Sequence, residues 1–236
     1  MSHLPSESQA REEICRVGKS LFDRGYVHAT AGNISIRLDE SAGGGTIITP
    51  TDACLGFLDP ARLSRLDAHG QHVAGDVPSK TIALHSRIYA SAARFDPKVR
   101  CIIHTHSTHC VALTLGPSID AVDAETYPEL LSPITPYFVM KVGHVPWIAY
   151  DRPGSVQTAE QVEQAIEHYG QRGIAIRAVM LDRLGPNVWH HTAAQAMATL
   201  EELEETAKLF WMTRQATAPL DAAALAQLVR TFQVQW

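Results

Sequence analysis

One stretch of the chain, residues 99–116, limits what the protein can fold into more than any other. Cys101, Ile102 and Ile103 predict a short buried strand, and His104 and His106 follow at its end. Alternate residues of a strand share a face, so the two histidines project from the same side. Ser107 or Thr108 then predicts the N-cap of a helix whose first turn carries His109. The sequence therefore predicts a strand-to-helix junction with three histidines directed towards one pocket.

This junction favours a metal site. Two imidazoles two residues apart can bind one divalent ion, and three histidines within six residues exceed what an ordinary polar strand end needs. His85 is different, because it is a lone histidine on the apolar face of a predicted helix. Such a residue is more often a hydrogen-bonded core residue than a ligand, so we predict that His85 lies in the core.

Composition limits the class of protein. With 236 residues, 45% apolar and 19% charged, the chain can bury one core without disulfides, and we expect one domain. A net charge of −5 gives no basic surface for nucleic acid. The four cysteines show no CxxC spacing and follow no apolar leader, which predicts reduced thiols and a cytoplasmic protein. No apolar run reaches the ~18–20 residues of a membrane span.

Hydrophobic periodicity predicts alternating helices and strands. A helix from about Arg11 to Gly25 precedes two paired strands at 30–38 and 46–49. The other predicted elements are an edge hairpin at 66–73, a helix from 78 to 89, strands at 101–103, 137–142, 147–150 and 174–181, and helices at 157–170 and 192–215. Glutamates 201, 202, 204 and 205 in the last helix are expected to form a solvated face. The proline-rich stretch 117–136 predicts a loop over the site or towards another subunit.

Six short segments, in this order along the chain, resemble the class II aldolase/adducin family: Thr30-Ala-Gly-Asn-Ile-Ser, Ile48-Thr-Pro-Thr51, Pro78-Ser-Lys, His104-Thr-His, Thr135-Pro-Tyr137 and Glu201-Glu-Leu-Glu-Glu-Thr206. The resemblance covers roughly residues 11–214 and implies a three-layer α/β/α fold with a mainly antiparallel central sheet. We expect a flexible N-terminus at 1–10, the family domain at 11–215 and a helical extension at 216–236. The resemblance also implies a homotetramer with sites between subunits and a divalent metal, zinc or manganese.

The resemblance assigns roles to particular residues. His104 and His106 match two metal ligands, and Tyr137 matches a tyrosine of a neighbouring subunit that donates a proton. Three polar residues match positions that bind the substrate's phosphate, namely Asn33, Thr51 and Ser79.

Three departures from the family pattern carry information. Leu184, within Asp182–Gly185, replaces the third histidine ligand and cannot bind a metal. Thr81 takes the catalytic position of an acidic residue, and its hydroxyl cannot act as a base near neutral pH. Asp52 replaces a glycine of the phosphate site, where its charge repels phosphate unless Lys80 neutralises it.

These departures favour a decarboxylase, because loss of carbon dioxide generates a carbanion without a protein base. The main interpretation is a metal-dependent carboxy-lyase acting on a small hydroxylated aromatic or heteroaromatic acid through an enolate-like intermediate. Lys80, Arg152 and Arg183 are candidates for binding a second carboxylate, and His190 or His191 for replacing the lost ligand.

Two alternatives stay open. One is an enzyme for phosphorylated substrates, either a sugar-phosphate aldolase (an aldehyde-lyase) or a 3-oxo-tetronate 4-phosphate decarboxylase. The other is an assembly module without catalysis, similar to the adducin head domain.

Overall fold

The computed structural model describes residues 5–116, 127–214 and 216–236. Its centre is one eight-stranded sheet with the spatial order β4-β3-β2-β1-β5-β8-β7-β6. The strands are β1 (Asn33–Arg37), β2 (Thr46–Ile48), β3 (Ser64–Leu66), β4 (His72–Ala74), β5 (Cys101–His104), β6 (Trp147–Ile148), β7 (Ala178–Leu181) and β8 (Gly185–His190). All neighbours pair antiparallel except β6 and β7, which are parallel. The mainly antiparallel sheet is therefore confirmed.

Helices cover both faces of this sheet, as predicted. They are α1 (Glu7–Asp23), α2 (Ile82–Ala92), α3 (Thr108–Thr114), α4 (Pro136–Lys141), α5 (Val156–Gln171), α6 (Ala193–Met212) and α7 (Ala222–Phe232). Several begin at a side-chain cap that satisfies an otherwise unpaired backbone N–H, such as Ser155 of α5 and Thr192 of α6. Within the described ranges, no helix is both long and apolar enough to cross a membrane.

Strand alternation divides the core into two parts. Ile34, Ile103 and Val188 share one face of the sheet and belong to a core with α1, α3, α4 and α6. Ile102 and Trp189 share the other face and belong to a core with α2 and α5. The result is the three-layer α/β/α architecture. The site lies on the α2/α5 face.

Two predicted strands differ from the structure. Residues 137–142 form helix α4 instead, because Thr135 caps it and Pro136 occupies its first position, where the missing N–H costs nothing. The pattern at 174–181 predicts the last strand, but in the structure β8 follows it. Gly185 and Pro186 at the start of β8 hide its strand pattern.

The predicted solvated face of α6 is partly wrong. Glu204 is only 5% exposed, and its carboxylate accepts hydrogen bonds from the backbone N–H groups of His109 and Cys110, 3.0 Å away in both cases. It therefore caps the first turn of α3. The predicted loop at 117–136 lies partly outside the described residues, since positions 117–126 are not among them.

Candidate active site

A cavity of about 270 Å³ lies where helices α2 and α5 leave one end of the sheet uncovered. Its volume is below the ~300–1,000 Å³ of sites for drug-sized ligands, which indicates a small ligand. The cavity gathers nine of the candidate site residues that the sequence singled out: Asn33, Thr51, Asp52, Ser79, Lys80, Thr81, His104, His106 and Arg152. These positions are far apart in the chain, so the fold brings them together.

The floor of the cavity is a row of three side chains on neighbouring strands. Asn33 on β1 and Asn187 on β8 are the cross-strand partners of His104 on β5, one on each side. Directly opposed residues share a face, with Cβ atoms about 4.5–5.5 Å apart. Asn33, His104 and Asn187 are 5%, 6% and 1% exposed, so the row is almost completely removed from water.

The two histidines present nitrogen lone pairs. His104 Nδ1 lies 2.9 Å from the carbonyl oxygen of Pro186. Because a carbonyl oxygen can only accept a hydrogen bond, Nδ1 carries the hydrogen, and Nε2 keeps a lone pair. Burial, with a contribution from the neighbouring His106, lowers the pKa of His104 to about 3. Burial also lowers the pKa of His106, and His28 adds to this effect. The ring centroids of His104 and His106 are 5.0 Å apart, and both rings are neutral near pH 7.

Several buried polar atoms lining the cavity have no hydrogen-bond partner in the described part of the chain. They are Asn33 Oδ1, Thr158 Oγ1 and both amide atoms of Asn187. An unsatisfied buried polar group costs about 1–3 kcal/mol, and native proteins seldom keep such groups without a reason. Their convergence on one cavity indicates that a polar ligand provides the missing partners.

Two helix N-termini border the cavity. Thr81 is the N-cap residue of α2, and Ser155 is the N-cap residue of α5. Unpaired N–H groups and the helix dipole make such ends favourable for anions. Lys80 lies beside the first N-terminus, and Arg152 lies beside the second. The cavity is thus bordered by two positive elements, which suits a ligand with two anionic groups.

Thr81 keeps its predicted place but offers no base. Its Oγ1 lies 2.9 Å from Ser79 Oγ, so the two hydroxyls bond to each other at the edge of the cavity. This arrangement can hold ligand oxygens, as the sequence predicted for Ser79.

Asp52 lines the cavity with a backbone φ of +54°, a left-handed conformation that aspartate tolerates better than most residues. This explains how aspartate can occupy a position where relatives were expected to have glycine. Asp52 is exposed, so water screens its carboxylate.

Two glycines hold the His104–His106 backbone from both sides. A Cβ on Gly32 would lie 2.8 Å from the carbonyl oxygen of His104, and one on Gly185 would lie 2.6 Å from that of Thr105. Both also have positive φ, +83° and +91°. The close approach of the β1 and β8 segments therefore requires glycine at these positions.

Three predicted histidines are outside the site. His109 is paired instead with Glu204, with Nδ1 2.7 Å from Oε1. His190 and His191 cannot replace the lost ligand, because His190 pairs with Cys101 at the opposite end of β5, about 10 Å along the strand from His104. His191 Nε2 is bound to Asp96 Oδ2 at 2.7 Å. The predictions for His190 and His191 were wrong because distance along the sequence did not show that β8 runs away from the cavity.

Two other predicted site residues, Arg183 and Tyr137, do not line this cavity. Arg183 is exposed in the turn between β7 and β8, with φ +62°, and its backbone N–H is bound to Thr114 Oγ1. The prediction that its side chain binds substrate is therefore not supported. Tyr137 lies in the first turn of α4 and is 58% exposed. Its role in a neighbouring subunit's site stays a prediction.

His85 is in the core, as predicted. It is completely buried, with Nδ1 2.8 Å from Ser35 Oγ, and burial lowers its pKa to about 3.

The residues of the cavity supply only part of the set of ligands that a metal ion needs. His104 and His106 offer imidazole nitrogens, and the bond from His104 to a backbone carbonyl is the support that metal-bound histidines usually have. Within the described ranges, no group of three His, Cys, Asp or Glu side chains is placed to hold an ion. Within those ranges, the donors left to complete the shell are amides, hydroxyls, water or the substrate.

Sequence reasoning did not single out Asn187 or Thr158. Asn187 lies in the strand that periodicity did not reveal, and Thr158 lies in the first turn of a correctly predicted helix. The available signal was the Ser155 cap, which directs the start of α5 towards the sheet end that carries the histidines.

Comparison with known proteins agrees with this fold. The family described as Class II Aldolase and Adducin N-terminal domain matches residues 12–211. The chain therefore belongs to the class II aldolase and adducin family.

Two of the relatives are lyases by name. The 3-oxo-tetronate 4-phosphate decarboxylase of Cupriavidus necator is 46% identical over 239 residues, covering 99% of this chain and 100% of the relative. The L-fuculose phosphate aldolase of Methanococcus vannielii is 30% identical over 198 residues, covering 84% and 93%. The crystal structure of YgbL from Escherichia coli, described as an aldolase, epimerase or decarboxylase, has a TM-score of 0.78 and 34% identity, covering 94% and 98%. These relatives support a carbon–carbon lyase.

Proposed function

We propose that this protein is a metal-dependent carboxy-lyase that decarboxylates 3-oxo-tetronate 4-phosphate or a very similar phosphorylated 3-oxo acid. This is the phosphate-bearing alternative from the sequence. The relatives support it better than the hydroxylated aromatic acid of the main interpretation, since a decarboxylase of 3-oxo-tetronate 4-phosphate matches the chain over 99% of its length.

One observation carries the proposal: the cavity is lined by a histidine pair and by the positive N-termini of two helices. A phosphorylated 3-oxo acid has an anionic group at each end and a carbonyl between them. We assign the phosphate to Ser79 and Lys80 at the start of α2, and the carboxylate to Arg152 and Thr158 at the start of α5.

The exposure of Asp52 removes the main argument against phosphate. At an effective dielectric near 20, two unit charges 4 Å apart repel by about 4 kcal/mol, but in water the figure is about 1 kcal/mol. Asp52 is exposed, so the lower figure is the better guide. The helix dipole and Lys80 oppose a repulsion of this size.

The reaction needs an electron acceptor and a proton donor, and it needs no protein base. The bond between the carboxyl carbon and C2 breaks, its electron pair moves towards the C3 carbonyl oxygen, and carbon dioxide leaves. C2 then takes a proton, which gives a three-carbon hydroxyketone phosphate. His104 and His106 would hold a divalent ion, which supplies Lewis-acid polarisation of the carbonyl oxygen when bound. We assign the proton to Tyr137 of a neighbouring subunit or to water.

The absence of a base at Thr81 agrees with this chemistry. An aldolase or epimerase must remove a proton from carbon or oxygen, and a threonine hydroxyl is too weak a base near neutral pH. Decarboxylation has no such requirement, so Thr81 can serve as a binding residue with Ser79.

The test is release of carbon dioxide from 3-oxo-tetronate 4-phosphate by protein loaded with Mn²⁺ or Zn²⁺, measured above the spontaneous rate. His104→Ala should reduce the rate at least about a hundredfold, because loss of a Lewis acid removes several kcal/mol of stabilisation. His72→Ala, in the exposed edge strand β4, is the matched control and should keep full activity. Release at the spontaneous rate by the wild-type protein would overturn the proposal.

A further inference from the structure

The histidine pair leaves a bound divalent ion without enough protein ligands. Zn²⁺ usually has four ligands and Mg²⁺ six, whereas His104 and His106 supply two. In the described part of the chain, no third His, Cys, Asp or Glu joins them. Leu184 lines the cavity, but its side chain has no donor atom.

Like Asn33 on the other side of His104, Asn187 is a polar residue placed to add a ligand. It lies directly opposite His104 in the sheet, on the strand whose Pro186 carbonyl fixes the His104 ring. Its side chain lines the cavity and is 1% exposed. A hydrophobic residue would fill this position at lower cost, because a buried amide without partners loses its hydrogen bonds to water.

Both amide atoms of Asn187 lack a partner, which distinguishes it from its neighbours in the cavity. Asn33 and Thr158 each have one buried unpartnered atom, whereas Asn187 has Oδ1 and Nδ2. A metal ion and a substrate can together satisfy both atoms. Oδ1 can be a ligand to the ion, and Nδ2 can donate a hydrogen bond to a substrate oxygen.

We propose that Asn187 Oδ1 is the third protein ligand of the ion held by His104 and His106. The inference rests on the proposed function in assuming that the cavity holds a divalent ion. An amide oxygen is a hard ligand, so it favours Mn²⁺ over a softer ion more than a third imidazole or a thiolate would. Residues 33 and 158 remain available to the substrate.

The test measures Mn²⁺ binding to metal-free protein in the absence of substrate, by the loss of the free-ion electron paramagnetic resonance signal. Asn187→Leu removes the oxygen at similar volume and should weaken Mn²⁺ binding about tenfold or more, within the range seen when metal sites lose a supporting group. Asn187→Asp keeps the oxygen and adds a negative charge, so it should bind Mn²⁺ at least as tightly as wild type. Thr158→Val, which removes another unpartnered atom of the same cavity, should not change Mn²⁺ affinity.

Two results would overturn the inference. One is wild-type Mn²⁺ affinity in Asn187→Leu, which would mean that Asn187 does not bind the ion. The other is an equal loss of affinity in Asn187→Asp and Asn187→Leu, which would indicate distortion of the floor. Circular dichroism of each variant verifies folding. Because no substrate is present, a failure of the decarboxylase assay does not affect the outcome.

Discussion

At the scale of single residues, the histidine pair was predictable and its surroundings were not. His104 and His106 follow a short apolar strand, and alternation alone places them on one side. Asn187 belongs to the site through strand pairing across more than 80 positions of the chain. Such a non-local partner leaves no periodic signal, so it becomes visible only in the folded sheet.

The histidine pair carries the first prediction. His104→Ala and His106→Ala should each abolish tight binding of a divalent ion and leave the fold intact, because both side chains lie at a strand end outside the two apolar cores. Elemental analysis of the purified variants measures metal content, and His72→Ala is the control. Full metal occupancy in both variants would remove the site from consideration.

Buried histidines carry a prediction about pH. Burial lowers the pKa of His85 to about 3, whereas an unfolded histidine titrates near 6.5. Between these values the unfolded chain binds a proton that the folded protein does not, so stability decreases as pH falls below 6.5, by up to about 1.4 kcal/mol per pH unit for each such residue.

His85→Gln removes one histidine that binds a proton only in the unfolded chain. In metal-free protein the free energy of unfolding of this variant should fall less steeply between pH 6.5 and pH 5 than that of wild type, by about 1 kcal/mol per pH unit. Urea unfolding at several pH values gives both slopes. Identical slopes would mean that His85 is protonated in the folded protein.

At the scale of elements, periodicity located most helices and strands. It failed at α4, where the apolar run was too short to distinguish a helix from a strand. It also failed at β8, whose first residues are poor strand formers. It also placed Glu204 on a solvated face, because helical spacing shows which residues share a face but not what lies opposite. The N-terminus of α3, which packs there, accounts for the burial of that carboxylate.

Glu204 therefore makes a testable contribution to α3. Its carboxylate bonds to two backbone N–H groups and to His109. Hydrogen bonds to charged groups are worth about 1.5–3 kcal/mol, so Glu204→Gln should lower the free energy of unfolding by roughly that amount. The exposed Glu205→Gln on the same helix should change it by less than about 0.5 kcal/mol. Urea unfolding compares the two, and equal effects would show that Glu204 is not a cap.

At the scale of the whole molecule, the resemblance to a family predicted the layers and the sheet, which composition and periodicity alone did not. Local patterns show that helices and strands alternate, but the order of eight strands depends on pairing between distant segments. The same limit applies to assembly. Tyr137 is exposed at the start of α4, and the family resemblance places such a tyrosine in a neighbouring subunit's site.

A mixing experiment tests whether sites are shared between subunits. Tyr137→Phe and His104→Ala should each have little activity alone, and unfolding and refolding them together should restore about a quarter of the wild-type sites, those with an intact histidine pair and an intact neighbouring tyrosine. Sedimentation of the mixture shows whether an oligomer forms. No recovery from a mixed oligomer, or a fully active monomer, would place the proton donor elsewhere.

The central claim is that one cavity between two helix N-termini binds both anionic ends of a phosphorylated 3-oxo acid and decarboxylates it. The most direct measurement compares kcat/KM of the metal-loaded protein for carbon dioxide release from 3-oxo-tetronate 4-phosphate and from the same acid without phosphate. Loss of a charge-assisted phosphate contact of about 3 kcal/mol predicts a value at least about a hundredfold lower for the unphosphorylated acid. Equal values for the two acids, or no release above the spontaneous rate from either, would contradict the account.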